Sequence, residues 1–525
     1  MSKEGRLHEH PILKFKRGQE VTIYFNGKPI KAYEGETVAA ALYASGVRIF
    51  SRSFRWHRPR GFFCAIGKCS SCMMEVDGIP NIRVCKVYVK EGMQIKTQTG
   101  FPNAEFDILS ISDKIIDKVF PHGSHYTKFT SSPLLRNFVL TNLRKLTGFG
   151  DKPKSVYKKN ARYEEIECDV LIIGGGPAGM SAGINAGKYG AKVLLIDENH
   201  RLGGQLVKQT HRFFGSAKHK AGTRGFKIAL ALEDELRKIE NVKILTKTKV
   251  FGIYKNEVGA FRSDKLLRIR PKKTIIATGA YERTLIFENN DLPGIYGAGG
   301  VQTLMNEQGI LPGKNGLIIG SGNVGLILAY QLLQAGVKVA GIVEAMPKIG
   351  GYFVHAAKIR RLGIPIYTGH TILRAIGKEH VEKAIIVQLD KKWQPIKGTE
   401  KEIKCDFICI SVGLSPTIEL IYQAGCEIKF VPQLGGFVPL RTKYNETTVC
   451  GVYVAGDCAG IEEATSAIMT GKVAALHAIL SLGYEGEDAI KELDEAMKDI
   501  EEFRSGVFGE RINSGICQCL LEKEA

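Results

Sequence analysis

No stretch of eighteen consecutive apolar residues occurs in the chain, so a membrane-spanning helix is not expected. The opening, Met1-Ser-Lys-Glu-Gly-Arg6, has no apolar core of the secretory type and predicts a chain that works in the cytoplasm. There is no helix-turn-helix signature, no paired Cys/His finger and no aromatic ribonucleoprotein box, which sets nucleic acid aside as a partner. Cysteine is unevenly used. Of twelve, four crowd into the 22 residues from Cys64 to Cys85, and none falls between 169 and 404. Without a secretory leader, a disulfide framework is not expected of such a set.

What remains is an ordinary globular composition, 44% hydrophobic and 24% charged over 525 residues, long enough for three or four units. Glycine is in excess, with 59 residues or about 11% against a usual ~7%. The net charge of +19 is concentrated: residues 1–163 hold 28 Lys and Arg against 13 Asp and Glu, and the remaining 362 hold 45 against 41. A basic N-terminal third fits docking to an acidic partner, peripheral attachment to an anionic membrane surface, or a solvated face; charge alone does not choose.

Residues 19–33 alternate as a hairpin, with Val21, Ile23 and Phe25 on one face and Asn26-Gly27 at the turn. Glu36-Thr37 then caps a short helix that stops at Gly46. A loop follows with Cys64-x4-Cys69-x2-Cys72, and Cys85 comes after twelve further residues. This is the order and the spacing of a plant-type 2Fe–2S centre. Two irons need four converging thiolates; one loop supplies three, and a later strand is expected to supply Cys85. Gly67, Ser70 and Ser71 keep the loop small, so that backbone N–H groups can point at the sulfurs. Zinc, which favours two short pairs, and buried free thiols are the rival readings. Residues 101–163 carry no evident chemistry: Pro133–Arg144 has helical periodicity, and Gly148–Lys159 reads as a basic linker.

Two glycine loops follow. Cys168-Asp-Val-Leu-Ile-Ile is an apolar strand leading into Gly174-Gly-Gly176-Pro177-Ala178-Gly179 and a small-residue helix; a second strand ends in Asp197-Glu198, 23 residues after Gly174. Gly174 suits the tight turn, Gly176 close approach of a pyrophosphate, and Gly179 close packing of helix on strand. The phosphates meet the helix N-terminus, and Asp197 or Glu198 can accept from a ribose hydroxyl. Asn315-Gly-Leu-Ile-Ile, Gly320-Ser-Gly322-Asn323-Val324-Gly325 and Glu344, 24 residues after Gly320, repeat the pattern. An acid there suits a free 2′-OH, hence NAD over NADP, with a structural adenine nucleotide or an empty site as the alternatives.

Between and after the loops stand Thr274-Ile-Ile-Ala-Thr278-Gly279 and a strand ending in Gly456-Asp457 before a helix. In this order the three motifs resemble the glutathione-reductase-like flavoproteins. That resemblance implies FAD at the first loop, with Gly204, Gln205, Thr278, Gly279, Gly456 and Asp457 beside it. Disulfide reductases of that superfamily place a redox cysteine pair where this chain has none, so thiol–disulfide chemistry is excluded. Two further stretches are narrower: Arg52-Ser-Phe-Arg-Trp-His57-Arg-Pro-Arg-Gly61, and Ala277-Thr-Gly-Ala-Tyr-Glu-Arg283 with Asn289-Asn-Asp-Leu-Pro-Gly294. Over residues 15–480 the chain resembles the α subunits of heteromeric sarcosine oxidases, opine oxidases, hydrogen-cyanide synthases and dye-linked L-proline dehydrogenases.

The resemblance implies an α/β fold: two Rossmann-like dinucleotide-binding domains, glutathione-reductase-like, plus an N-terminal β-grasp 2Fe–2S ferredoxin-like domain. The expected divisions are 1–100 for the ferredoxin-like domain, 101–164 for a basic linker, 165–290 and 405–480 for the FAD domain, 291–404 for the second nucleotide domain, and 481–525 for a C-terminal segment. Its implied partner is a D-amino-acid-oxidase-like flavoprotein, the β subunit, with small ferredoxin-like subunits in some relatives and an FMN at a subunit interface. The chain is then the electron-transfer subunit of an amino-acid dehydrogenase; a self-sufficient NADH:acceptor oxidoreductase and a nucleotide-binding scaffold are the competing readings. Cys517-Gln-Cys519 resembles the opening of a C-terminal ferredoxin-like motif, implying a cluster shared with a partner or a site not assembled. No side chain stands out as acid, base or nucleophile, and His355 and Tyr281 read as structural.

Overall fold

The computed structural model describes residues 5–53, 56–108, 162–212, 220–255, 257–262, 265–484 and 486–521, with a few single positions between them. The linker Gly148–Lys159 and most of Pro133–Arg144 lie outside the described residues. The chain divides into two compact units, 1–158 with 282–412, and 159–281 with 413–525.

The first unit opens with a five-stranded sheet in the order Lys28–Tyr33, Glu20–Phe25, Gln94–Lys96, Met73–Val76, Ile79–Arg83. The alternation in Glu20–Phe25 buries Val21, Ile23 and Phe25 and turns Tyr24 away. Asn26 and Gly27 both adopt left-handed backbone at the turn, as a two-residue hairpin requires. The helix Val38–Ala44 is capped by Thr37, whose hydroxyl accepts the Ala40 N–H, and every one of its residues is buried. Helix on mixed sheet, with Glu20–Phe25 parallel to Gln94–Lys96, is the β-grasp arrangement.

The same unit holds a parallel sheet in the order Ile295–Gly297, Phe407–Ile410, Asn315–Ile319, Lys338–Glu344, Ile366–Thr368. The helix Asn323–Gln334 lies between its third and fourth strands in sequence, and a three-stranded antiparallel sheet is appended. Phe407–Ile410, expected to open the second flavin segment, instead sits inside this sheet. All four of its residues are buried, and it pairs on both sides. The inserted domain therefore runs to Val412 rather than to residue 404.

The second unit is built on parallel strands Val242–Leu245, Val193–Ile196, Arg162–Ile173, Lys265–Ile276 and Val452–Val454, extended by the meander Glu257–Arg262 and Lys249–Tyr254. Val193–Ile196 and the last four residues of Arg162–Ile173 are apolar without alternation, as expected of parallel strands covered by helices. Helix Pro177–Lys188 packs against helix Ala464–Leu480, so closely that a Cβ at Gly471 would stand 2.1 Å from the Ala178 carbonyl oxygen. The C-terminal segment is no separate part: Leu493 and Ala496 of helix Glu487–Phe503 join this core, and Ile516 and Cys519 close a smaller one with Val431, Leu434 and Val438.

Candidate functional site

Four thiols meet in the β-grasp domain. Cys64, Cys72 and Cys85 are buried and Cys69 is half-buried. Cys85 stands not on a strand but in the short turn Val84–Lys86 that directly follows Ile79–Arg83. Cys69 and Cys85 donate to Cys64, and Cys85 also to Cys72. Accepting these bonds lowers Cys64 to about 2 and lowers Cys72; donating raises Cys69 and Cys85. Backbone amides add to this. The Cys69 N–H points at Cys64 Sγ at 3.4 Å, and Ile66, Ser71 and Cys85 direct theirs to Cys64, Cys69 and Cys72. Ala65 and Gly67 adopt left-handed backbone (φ +58° and +78°), which folds the loop round the sulfurs. Four converging thiols, three of them buried, share protons with one another and are ringed by amide donors. Such a donor set fits a 2Fe–2S cluster, whose irons would compensate four thiolates.

The motif ahead of the cysteines has an interior purpose. His57 Nδ1 lies 2.7 Å from Asp107, whose side chain is wholly buried and also accepts the Phe101 N–H. Arg52 is buried over the same carboxylate at 3.7 Å and donates to the Ala104 and His57 carbonyls. Arg58 makes a bidentate pair with Asp291 (3.0 and 2.7 Å) and donates to Asn289 Oδ1 (2.8 Å). The two sequence stretches singled out separately, Arg52–Gly61 and Asn289–Gly294, thus clamp each other, with Pro293 so close to Gly61 that a Cβ there would stand 2.8 Å away. Asp107 and Asp291 are the residues that sequence reading missed. Asp291 lay within a quoted motif; Asp107 carried no local signal.

At each glycine loop the three glycines separate by environment. A Cβ on Gly174 would stand 2.3 Å from the Ala277 oxygen, and one on Gly179 1.8 Å from the Gly174 oxygen; Gly320 and Gly325 are as tightly held, at 2.1 Å from Ser411 and 2.2 Å from Gly320. The middle glycines are open: beyond Gly176 the first atom is 3.9 Å away, and beyond Gly322 nothing lies within 4 Å. Space above an uncapped helix N-terminus, at Pro177–Lys188 and again at Asn323–Gln334, fits a pyrophosphate in both places. Gly204, in left-handed backbone (φ +52°), packs on Gly176 from below, and Gln205 beside it is exposed.

The acids are placed alike. Asp197 accepts from the second residue of its loop, Gly175 (2.6 Å), and from Asn199 (2.6 Å); Glu344 accepts from Ser321 N–H (2.9 Å) and hydroxyl (2.6 Å), and from Met346 (2.9 Å). Glu198 is exposed and faces Lys249 at 3.5 Å, so Asp197 is the counterpart of Glu344. Asn323 fixes the neighbouring turn by accepting the Tyr352 N–H (2.8 Å), while Val324 packs on the core below. Thr278 donates to the Thr417 carbonyl (3.0 Å), and Gly279 accepts the Thr417 N–H (2.9 Å), which holds the end of strand Lys265–Ile276. Gly456 turns in left-handed backbone and presents Asp457. Burial pushes that carboxyl up to about 7, and a single long bond from the Glu462 N–H (3.5 Å) answers it. An under-satisfied acid at this point fits a hydroxyl-bearing ligand.

Other candidates settle as structural. His355 is buried between Tyr330 and Tyr352, and burial lowers its pKa. Cys517 is exposed, but Cys519 is buried in the core with its sulfur 3.2 Å from Arg441 Nη1, a position that separates the pair rather than presenting both to one metal.

A β-grasp four-thiol pocket and two glycine-loop dinucleotide folds on one chain define an FAD-, NAD- and 2Fe–2S-binding oxidoreductase. Comparison with known proteins agrees. Residues 168–471 match the pyridine nucleotide-disulphide oxidoreductases and residues 18–100 the 2Fe-2S iron-sulfur cluster binding domain. The chain belongs to the pyridine nucleotide-disulphide oxidoreductase family, and it is similar to α-type subunits of the kind expected from its sequence. It is 30% identical over 433 residues to the alpha subunit of sarcosine oxidase from Rhizobium meliloti (strain 1021), covering 78% of this chain and 41% of that one. Hydrogen cyanide synthase HcnB, a subunit from Pseudomonas protegens, is 25% identical over 338 residues, 61% of this chain and 72% of its own. The crystal structure of L-proline dehydrogenase from P. horikoshii superposes with a TM-score of 0.61 at 25% identity, over 93% of this chain and 79% of that one. The chain spans less than half the length of the sarcosine oxidase α subunits it matches. Among the described residues, no helix is long and apolar enough to cross a membrane.

Proposed function

We propose that the chain is the electron-transfer subunit of a heteromeric dye-linked dehydrogenase acting on a secondary amine or amino acid, with L-proline and sarcosine as the leading substrates. The amine is oxidised on a partner flavoprotein subunit of D-amino-acid-oxidase type. When bound, FAD accepts electrons in pairs and releases them singly, and a 2Fe–2S cluster passes them one at a time.

The observation that carries this reading is the four-thiol pocket on the same chain as the dinucleotide folds, and the fold resembles that of the L-proline dehydrogenase structure over 93% of the chain. The residues' own tasks are to bind and orient. Gly176 and Gly322 leave room for phosphates, Asp197 and Glu344 stand at the two ribose positions, Asp457 takes a flavin-side hydroxyl, and Cys64, Cys69, Cys72 and Cys85 take the irons. The site residues supply hydrogen bonds, open space and metal ligands, which suits a subunit that carries electrons rather than one that breaks a C–H bond.

The test is bleaching of the flavin band. L-Proline or sarcosine should bleach it only when the partner subunit is co-expressed. Bleaching by the amine with this chain alone would overturn the reading. Rapid reduction by NADH with dye turnover, and no response to any amine with partner present, would favour the self-sufficient NADH:acceptor oxidoreductase, which the second glycine loop also supports.

A further inference from the structure

From Thr37 to Met74 the chain contains no aspartate or glutamate and six cations, Arg48, Arg52, Arg55, Arg58, Arg60 and Lys68. Some serve the interior. Arg52 and Arg58 hold Asp107 and Asp291, and Arg48 lies over the Tyr43 ring at 3.8 Å. Arg60 and Lys68 are exposed and lie near the cysteine loop. Lys68 directly precedes Cys69, the one half-buried ligand. Arg60 stands opposite Ser51, whose hydroxyl donates to the Ser71 carbonyl (3.1 Å). Arg83 is near enough for its charge to act on Cys72, and Lys86 lays its stem against Gly67, where a Cβ would be 2.8 Å from Cγ.

Glu75 pairs across the sheet with Lys96, and Asp77 accepts the Gln94 N–H (2.8 Å) at the far end of the hairpin. The loop's other flank is closed, since the Gly297 N–H donates to the Phe63 carbonyl (3.3 Å) and a Cβ on Gly300 would stand 2.3 Å from that oxygen. Positive charge thus lies about the loop that carries the half-buried Cys69.

We propose that the rim formed by Arg60, Lys68, Arg83 and Lys86 is the docking surface for a small acidic protein that carries a one-electron centre. The inference rests on the electron-transfer reading above and adds where the electrons leave and to what kind of oxidant. In the transfer the carrier is reduced by one electron and the iron pair oxidised by one, with no bond made or proton moved. Complementary charge draws the carrier to Cys69 and orients it there.

The test is calorimetric titration of the oxidised holoprotein with an acidic plant-type ferredoxin, and with a basic cytochrome c as control. The ferredoxin should bind, with affinity falling on the order of tenfold from low to physiological ionic strength. The Arg60→Glu/Lys68→Glu variant should weaken it on the order of tenfold again while keeping the cluster's visible spectrum and the melting curve. Lys391→Glu, on an exposed loop of the inserted domain, should change nothing. Equal binding of cytochrome c, salt-independent binding, or an unaltered double variant would overturn the proposal. So would binding to phosphatidylserine vesicles in place of ferredoxin. If amines and NADH leave the flavin oxidised while ferredoxin binding keeps its charge dependence, the functional reading fails and the docking surface stands; the reverse pattern sinks the docking surface alone.

Discussion

Asp457 is a carboxyl that burial holds well above the ordinary range, with one long hydrogen bond to answer it. Its folded-state pKa, raised by burial from 3.8 to about 7, favours the folded chain most at low pH, and this contribution is lost as pH rises through about 7. Asp457→Asn should therefore raise the melting temperature of the flavin-free protein above neutrality and leave it unchanged in acid below the ordinary carboxylate range. The same variant should bind FAD more weakly by about 1.5–3 kcal/mol, the worth of a hydrogen bond to a charged group, as read by flavin fluorescence titration. Asp107 gives the opposite case, a buried charge that is paired. Asp107→Asn leaves Arg52 without its counter-charge and should destabilise the protein by about 3–5 kcal/mol in denaturant unfolding. What the sequence could show at this scale were residues whose meaning is local. Cysteine spacing and glycine spacing are such signals, because the loop that uses them is contiguous. Asp107 and Asp291 have partners fifty and more than two hundred positions away, and no periodicity announces them.

At the scale of the element, each glycine loop divides its labour between packing and access. Gly322 has open space before it and ordinary backbone (φ −64°), so Gly322→Ala should fold with unchanged stability yet bind NAD less well. Gly325 presses on the Gly320 carbonyl, and Gly325→Ala should cost about 1–3 kcal/mol of stability before any nucleotide is added. Paired thermal melts and nucleotide titrations separate the two effects. Helices and hairpins were readable because caps, turn residues and alternation are written side by side, as in Thr37 and Asn26-Gly27. Phe407–Ile410 was not. A strand buried on both faces has no alternation to mark it, and nothing in Phe-Ile-Cys-Ile says which of two parallel sheets it completes. Cys85 fell to a similar limit: its spacing was clear, but the turn that ends its hairpin two residues early was not.

For the whole molecule, the Arg58–Asp291 pair ties the β-grasp domain to the inserted nucleotide domain within one unit. Tyr43 and Tyr296, hydroxyl to hydroxyl at 2.5 Å and both buried, form a second tie between the same two parts. Arg58→Ala should loosen this joint by about 1–2 kcal/mol, because a bidentate pair backed by Asn289 exceeds an ordinary surface ion pair. Differential scanning calorimetry should then show the unit's single transition broadening or moving to lower temperature.

The position of Phe407–Ile410 between Ile295–Gly297 and Asn315–Ile319 bears on how the protein is made. On the ribosome, both neighbours emerge roughly a hundred residues before the strand that joins them. Throughout that interval the nascent insert carries two raw hydrogen-bonding edges, and it is the stage of synthesis at which chaperones have most to protect.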